Sequence, residues 1–220
     1  MLDSAANSVR PGVRRDLVVI GASAGAVQVL LDLAAQLPAD FAAAVLVVLH
    51  VGSHRSMLPD LMRNPGAIRA RHAADGDLLQ TGTLAIAPPD LHMLVDDGRI
   101  RLRRGPKENH ARPAIDPLFR SAALAHGARV IGVLLSGRLD DGTAGLQAIK
   151  QYGGLAVVQD PADAEQPDMP RSALAQVDVD CCVPAAQLAD TLLRLVDERP
   201  GTASPLASTP STCAHALSMG

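Results

Sequence analysis

Short runs of β-branched and aliphatic residues alternate along the chain with stretches whose apolar positions recur at helical spacing. Leu17-Val18-Val19-Ile20 reads as a buried strand, and Val27, Leu30, Leu31 and Ala34 then follow at i, i+3, i+4 and i+7, one face of a helix. The unit repeats with a strand over 44–49 and a short helix carrying Met57, Leu58, Leu61 and Met62. In the middle, runs over 83–87, 91–95 and 100–103 are separated by Pro88-Pro89-Asp90 and Asp96-Asp97-Gly98, turn chemistry that predicts an antiparallel hairpin region. Asp116-Pro117 supplies an N-cap acceptor and a preset first residue for a helix to about His126. Alternation then resumes: strands over 130–135, 155–158 and 179–183, helices over 143–152, 170–176 and 185–196. The pattern predicts an α/β fold, a doubly wound, mostly parallel sheet with an antiparallel hairpin region.

Length and composition fit that picture. A chain of 220 residues with 48% hydrophobic and 20% charged residues supports one substantial core. Residues 17–196 are expected to form it, between an N-terminal tail of residues 1–16 and a tail over 197–220 rich in Ser, Thr, Pro and Gly that is expected to be disordered. The net charge of −3 and a total of two Phe, one Tyr and no Trp leave neither a basic field nor stacking platforms, so nucleic acid is not an expected ligand. The charge-free stretch through the first strand and helix, from Leu17 to the residue before Asp32, is too short for the roughly 18 apolar residues of a membrane helix. Residues 1–16 lack a signal-peptide pattern, and a cytoplasmic location is expected. Cys181, Cys182 and Cys213 form neither a disulfide framework nor a metal pattern and are expected to be reduced.

Chemistry gathers at the strand ends. Gly21-Ala22-Ser23-Ala24-Gly25 lies between a strand and a helix and matches the G-x-S-x-G turn that presents a serine hydroxyl beside helix N–H groups. A glycine-rich turn at this place can also cradle a pyrophosphate, and five residues alone leave the two readings open. The spacing is not G-x-G-x-x-G, however, and the second strand ends in His50 rather than in an acid that would hold a ribose, which weakens a dinucleotide-binding oxidoreductase. Asp140-Asp141-Gly142 follows the strand over 130–135. A hydroxyl, an imidazole and a carboxylate thus leave three strands at one edge of the sheet, the residue types that activate a serine nucleophile. His54, His72, His110, His126 and His215 have no metal-ligand spacing, and no metal or cofactor is expected.

Taken in order, these segments resemble the catalytic domain of the CheB family, protein-glutamate methylesterases of bacterial chemosensory systems. Val19 to Gly25 resembles the family's serine-bearing turn and Leu49-His50 its strand-end histidine. Ile86-Ala87-Pro88 with His92-Met93, Gly105-Pro106 with Arg112-Pro113 and Asp116, and Gly132 to Gly142 resemble three further elements. The resemblance implies Ser23 as nucleophile, His50 as general base and then acid, and Asp141, directly before Gly142, as the group orienting His50. The backbone N–H groups of Ala24 and Arg138 would be oxyanion donors. Apart from the resemblance, His92 and Arg112 each follow a proline-bearing or turn-rich segment that could line a cleft and are candidate substrate-binding residues. The resemblance further implies a methylated chemoreceptor or related protein as substrate, other chemosensory proteins as partners, and deamidation of glutamine as a second activity. GASAGA stands where the family has GASTGG, and SGRLDDG where it commonly has TGMGxDG. With sixteen residues before the first strand, the family's receiver domain is not expected, and control is expected to differ. A scaffold that keeps the fold but binds chemosensory proteins without turnover is the alternative.

Overall fold

The computed structural model describes residues 13–50 and 57–197. A seven-stranded sheet runs through it in the order β3-β4-β2-β1-β7-β8-β9, every pair parallel. Its central strands are β1 (Leu17–Ala22), β2 (Ala44–Leu49) and β7 (Val130–Leu134), with β3 (Arg69–His72) and β4 (Thr83–Ile86) to one side and β8 (Leu155–Gln159) and β9 (Cys181–Val183) to the other. A separate antiparallel pair, β5 (His92–Asp96) and β6 (Arg99–Arg103), turns at Asp97-Gly98. The expected mostly parallel α/β fold is present.

Alternate residues of the central strands serve opposite faces, as the two-residue period of a strand requires. Val18 and Ile20 join a core with Leu30, Leu33 and Ala34 of α1 (Val27–Gln36), Leu58 of α2 (Leu58–Leu61) and Leu188, Leu192 and Leu195 of α6 (Leu188–Asp197). Leu17 and Val19 join the other, with Leu118 and Phe119 of α3 (Ile115–His126), Leu146 and Ile149 of α4 (Thr143–Gln151), Met169 and Ala173 of α5 (Asp168–Gln176), and Met93 and Ile100 of the hairpin. The sheet is therefore covered on both sides, and no charged side chain is needed on its central strands.

Several local expectations change. The run over 83–87 pairs in parallel with β2 and β3 rather than with the next run, so Pro88-Pro89-Asp90 is a connection and not a hairpin turn. Strand β3, sequence Arg-Ala-Arg-His, was not predicted: an edge strand has one free flank and needs no apolar run. Helix α1 buries Leu30, Leu33 and Ala34, while Val27 is exposed. Helix α3 is preceded by Ala114 at its N-cap, which puts Asp116 inside the first turn. Cys182, expected to be reduced, is disulfide-bonded; three cysteines at these spacings do not specify a pairing from sequence. Asp197 closes α6, and most of both expected tails, with His54 and His215, lies outside the described residues. Among the described residues no helix is long and apolar enough to cross a membrane.

Candidate active site

Chain order reverses beside β1: the chain moves from β1 outward through β2 to β4, then returns to add β7 on β1's other flank. Open parallel sheets form a crevice at such a point, beyond the carboxyl ends of the strands. The ladder bonds continue past the strands here: the Ser23 N–H donates to Ser136 O at 3.0 Å and the His50 N–H to Ala22 O at 3.0 Å. They fix the backbone of the residue after β1 against that of its neighbours. The turn needs Gly25, whose φ is +80°, and a Cβ there would lie 2.5 Å from Glu165 Cβ. Gly137 is as tightly placed: a Cβ would lie 2.1 Å from Met169 Sδ and 2.7 Å from Ser23 Cβ.

The His50 ring lies between the other two candidates. Its Nδ1 is 3.2 Å from Ser23 Oγ and its Nε2 is 2.9 Å from Asp141 Oδ2. An ionised carboxylate can only accept, so Nε2 carries the hydrogen and Nδ1 is left with a lone pair facing the hydroxyl. His50 keeps 19% of its side-chain surface exposed, whereas Asp141 keeps 3%. Burial of Asp141 works against its charge, yet hydrogen bonds from His50, the Ile115 N–H, Asn109 and the Asp116 N–H outweigh it and hold the carboxyl below its ordinary value. The arrangement supplies what proton abstraction from a serine requires: an acceptor nitrogen at the hydroxyl and an anion behind the ring.

A family model for CheB methylesterase matches residues 18–192. The chain belongs to the CheB methylesterase family. A relative from Leptospira interrogans is 34% identical over 186 residues, which make up 82% of this chain and 94% of the relative. The protein-glutamate methylesterase/protein-glutamine glutaminase of Symbiobacterium thermophilum is 36% identical over 187 residues, 84% of this chain and 51% of the relative, so the chain spans about half of that longer protein. Among solved structures, the Thermotoga maritima CheB methylesterase catalytic domain superposes with a TM-score of 0.79 at 30% identity, covering 84% of this chain and all of that one.

The remaining residues divide by place. Among the described residues, no acceptor pairs with the N–H of Ala24 or Arg138, the two expected oxyanion donors, while the Gly137 N–H is occupied by Gln166 O at 2.9 Å. His92 is buried and hydrogen-bonded at both ring nitrogens. It is 4% exposed, its Nε2 lies 2.8 Å from Pro106 O and its Nδ1 accepts from the Ala114 N–H at 3.2 Å, so neither ring nitrogen is left for substrate. Arg112 is likewise occupied: Nε and Nη2 donate to Asp90 Oδ1 and Nη1 to Gly105 O, which ties the connection after β4 to that after β6.

Asp116 does more than the helix start expected of it. Its Oδ1 accepts from the N–H groups of Gly142 at 3.1 Å and Gly145 at 2.7 Å, at the start of α4. Asp141, which precedes α4, accepts in turn from Ile115 at 2.8 Å and Asp116 at 3.1 Å, the first N–H groups of α3. Each carboxylate thus caps the helix that begins at the other. Helix N-terminal partial charge and these hydrogen bonds favour the anion at Asp141, while at Asp116 burial and the neighbouring charge outweigh them. Asn109 joins them, and the sequence reading missed it, since a lone Asn in a turn-rich segment carries no motif signal.

Proposed function

We propose that this protein is a serine esterase that hydrolyses γ-methyl esters of glutamate side chains in proteins, with methylated chemoreceptors as the substrate class. The observation that carries the reading is the His50 ring, in hydrogen-bond reach of Ser23 Oγ on one side and Asp141 on the other. In the reaction, Ser23 Oγ attacks the ester carbonyl carbon as its proton passes to His50 Nδ1. The imidazolium formed is stabilised by Asp141 through the Nε2–H. The carbonyl oxygen becomes an oxyanion, which the N–H groups of Ala24 and Arg138 receive in this reading; a single such donor is worth about 3–4 kcal/mol in related acyl transfer. Collapse breaks the bond to methoxide, which takes the proton from His50 and departs as methanol. Water, deprotonated by His50, then cleaves the acyl-enzyme to leave a glutamate carboxylate and restore the serine. No redox or electrophilic cofactor enters this balance.

The second activity named in the relatives, protein-glutamine glutaminase, fits the same steps with ammonia leaving in place of methanol. The test is methanol release from a protein or peptide carrying glutamate γ-methyl ester. Release by the wild type that is abolished in a folded Ser23→Ala variant is the expected result. Equal release by both, or none by the wild type, overturns the esterase reading, and the second outcome returns the chain to a binding role.

A further inference from the structure

Between β6 and α3, Asn109 turns its side chain toward both buried acids. Its amide nitrogen lies 2.7 Å from Asp141 Oδ1 and 2.9 Å from Asp116 Oδ2. A carboxamide nitrogen carries two hydrogens, so it satisfies both oxygens at once without adding charge. The acids it separates are 2% and 6% exposed. Without it, Asp141 Oδ1 keeps only the Asp116 N–H, and Asp116 Oδ2 faces only the Arg120 guanidinium at 4.0 Å. Arg120 is itself paired with Glu108. The charged or titratable groups around the two acids are therefore His50, Arg120 and each other.

We propose that Asn109 is a positioning residue of the esterase: by donating to Asp141 and Asp116 together, it holds the Asp141 carboxylate with Oδ2 turned to His50. The proposal rests on the assignment of Ser23, His50 and Asp141 made above. It gives Asn109 a role in the chemistry that packing does not, because the amide stabilises the ionised form of both acids. Its loss lets the pair take up a proton at higher pH. Asp141, less firmly held as the anion and free to turn from His50, stabilises the imidazolium less, so kcat falls.

The experiment compares wild type, Asn109→Gly and Asn109→Asp in methanol release across pH. Residue 109 has φ +48°, which glycine adopts freely and aspartate more readily than most residues, so neither change challenges the backbone. Asn109→Gly is expected to lower kcat about tenfold, with KM within about twofold, since a hydrogen bond to a charged group is worth about 1.5–3 kcal/mol. Asn109→Asp keeps the shape but replaces a donor by a third acceptor, and it is expected to lose more than the glycine variant. A side chain that only fills space gives the reverse order; that order, or an unmoved kcat, overturns the proposal. If the wild type releases no methanol, the functional reading fails separately, and carbon NMR titration of the Asp141 carboxyl decides for Asn109. A higher midpoint in Asn109→Gly supports the role and an equal midpoint overturns it. Where Asn109→Gly does not fold, Asn109→Ser, with one donor left, replaces it and is expected to fall between wild type and Asn109→Asp.

Discussion

Ser23 and Ser136 are joined by backbone and side chain around one turn: the Ser23 N–H donates to Ser136 O at 3.0 Å, and Ser136 Oγ donates to Ala24 O at 2.8 Å. The same hydroxyl accepts from the Gln166 N–H at 2.9 Å, and the Ser136 N–H donates to Gln159 Oε1. Fully buried Ser136 therefore couples the turn after β1 to the segment before α5.

Ser136→Ala keeps the backbone bond to Ser23 and removes the hydroxyl, which leaves the Gln166 N–H without its acceptor. A cost of about 1–3 kcal/mol is expected, since a donor removed from its partner in a protein interior loses its compensation for desolvation. The turn holding Ser23 loosens as well, so kcat should fall by about tenfold. Denaturant unfolding and methanol release measure the two effects; a variant with wild-type stability and rate would show that the hydroxyl contributes nothing.

Asp141→Asn tests the direction of the His50 ring. An amide at this place must turn a donor either toward His50 and the Ile115 N–H or toward Asn109 and the Asp116 N–H, and each choice sets donor against donor. If the amide faces His50, it donates to Nε2, and the hydrogen moves to Nδ1, the nitrogen that faces Ser23. The serine then has no acceptor. By analogy with other triads the loss in kcat should be about 10⁴-fold, with a lowered unfolding midpoint because α3 loses a charged cap. Activity within tenfold of wild type would refute the role given to Asp141.

How much of this was open to sequence depends on whether the cause was local. The three strand-end groups could be brought together on paper because parallel strands deliver their carboxyl ends to one edge, and the strands themselves were plain runs such as Ala44 to Leu49. Strand β3 escaped because Arg69 and Arg71 give no apolar alternation. Asp116 looked like a cap for its own helix because Asp-Pro is local capping chemistry, but its carboxylate reaches across to α4. Asn109 escaped for the same reason: its partners lie 7 and 32 residues away along the chain, and nothing in the intervening sequence announces them.

The two acids should leave opposite marks on stability against pH. Burial first, and then the charge of Asp141, raise the Asp116 carboxyl above its ordinary 3.8. Its contribution is therefore fully present below the unfolded value and is lost as pH rises through the folded one. The Asp141 carboxyl lies below 3.8, because its hydrogen bonds outweigh burial, so its contribution is present above the unfolded value and lost as pH falls through the folded one. Unfolding free energies measured from acid to neutral pH should show Asp116→Asn removing a decline that lies above 3.8 in the wild type. Asp141→Asn should flatten the fall below it. The same change of slope in both variants would show that the acids do not differ in this way.

Leu139 tests whether the turn before Asp141 is held at a cost. It has φ +65° and is 64% exposed, so it occupies left-handed backbone while burying little. A non-glycine residue there loses about 1–2 kcal/mol, and glycine returns about 0.5–1 kcal/mol of that as greater freedom in the unfolded chain. Leu139→Gly should therefore gain about 0.5–1 kcal/mol, or roughly 1–4 °C in Tm for a chain of this size. A β-branched side chain is a poorer occupant of positive φ than leucine, so Leu139→Val should shift Tm the other way. Since glycine keeps the turn that delivers Asp141 to His50, its variant should also retain kcat on a small methyl ester. A Leu139→Gly protein that melts lower than wild type would mean that the exposed leucine holds the loop by contact, and that the left-handed turn is not where the cost lies.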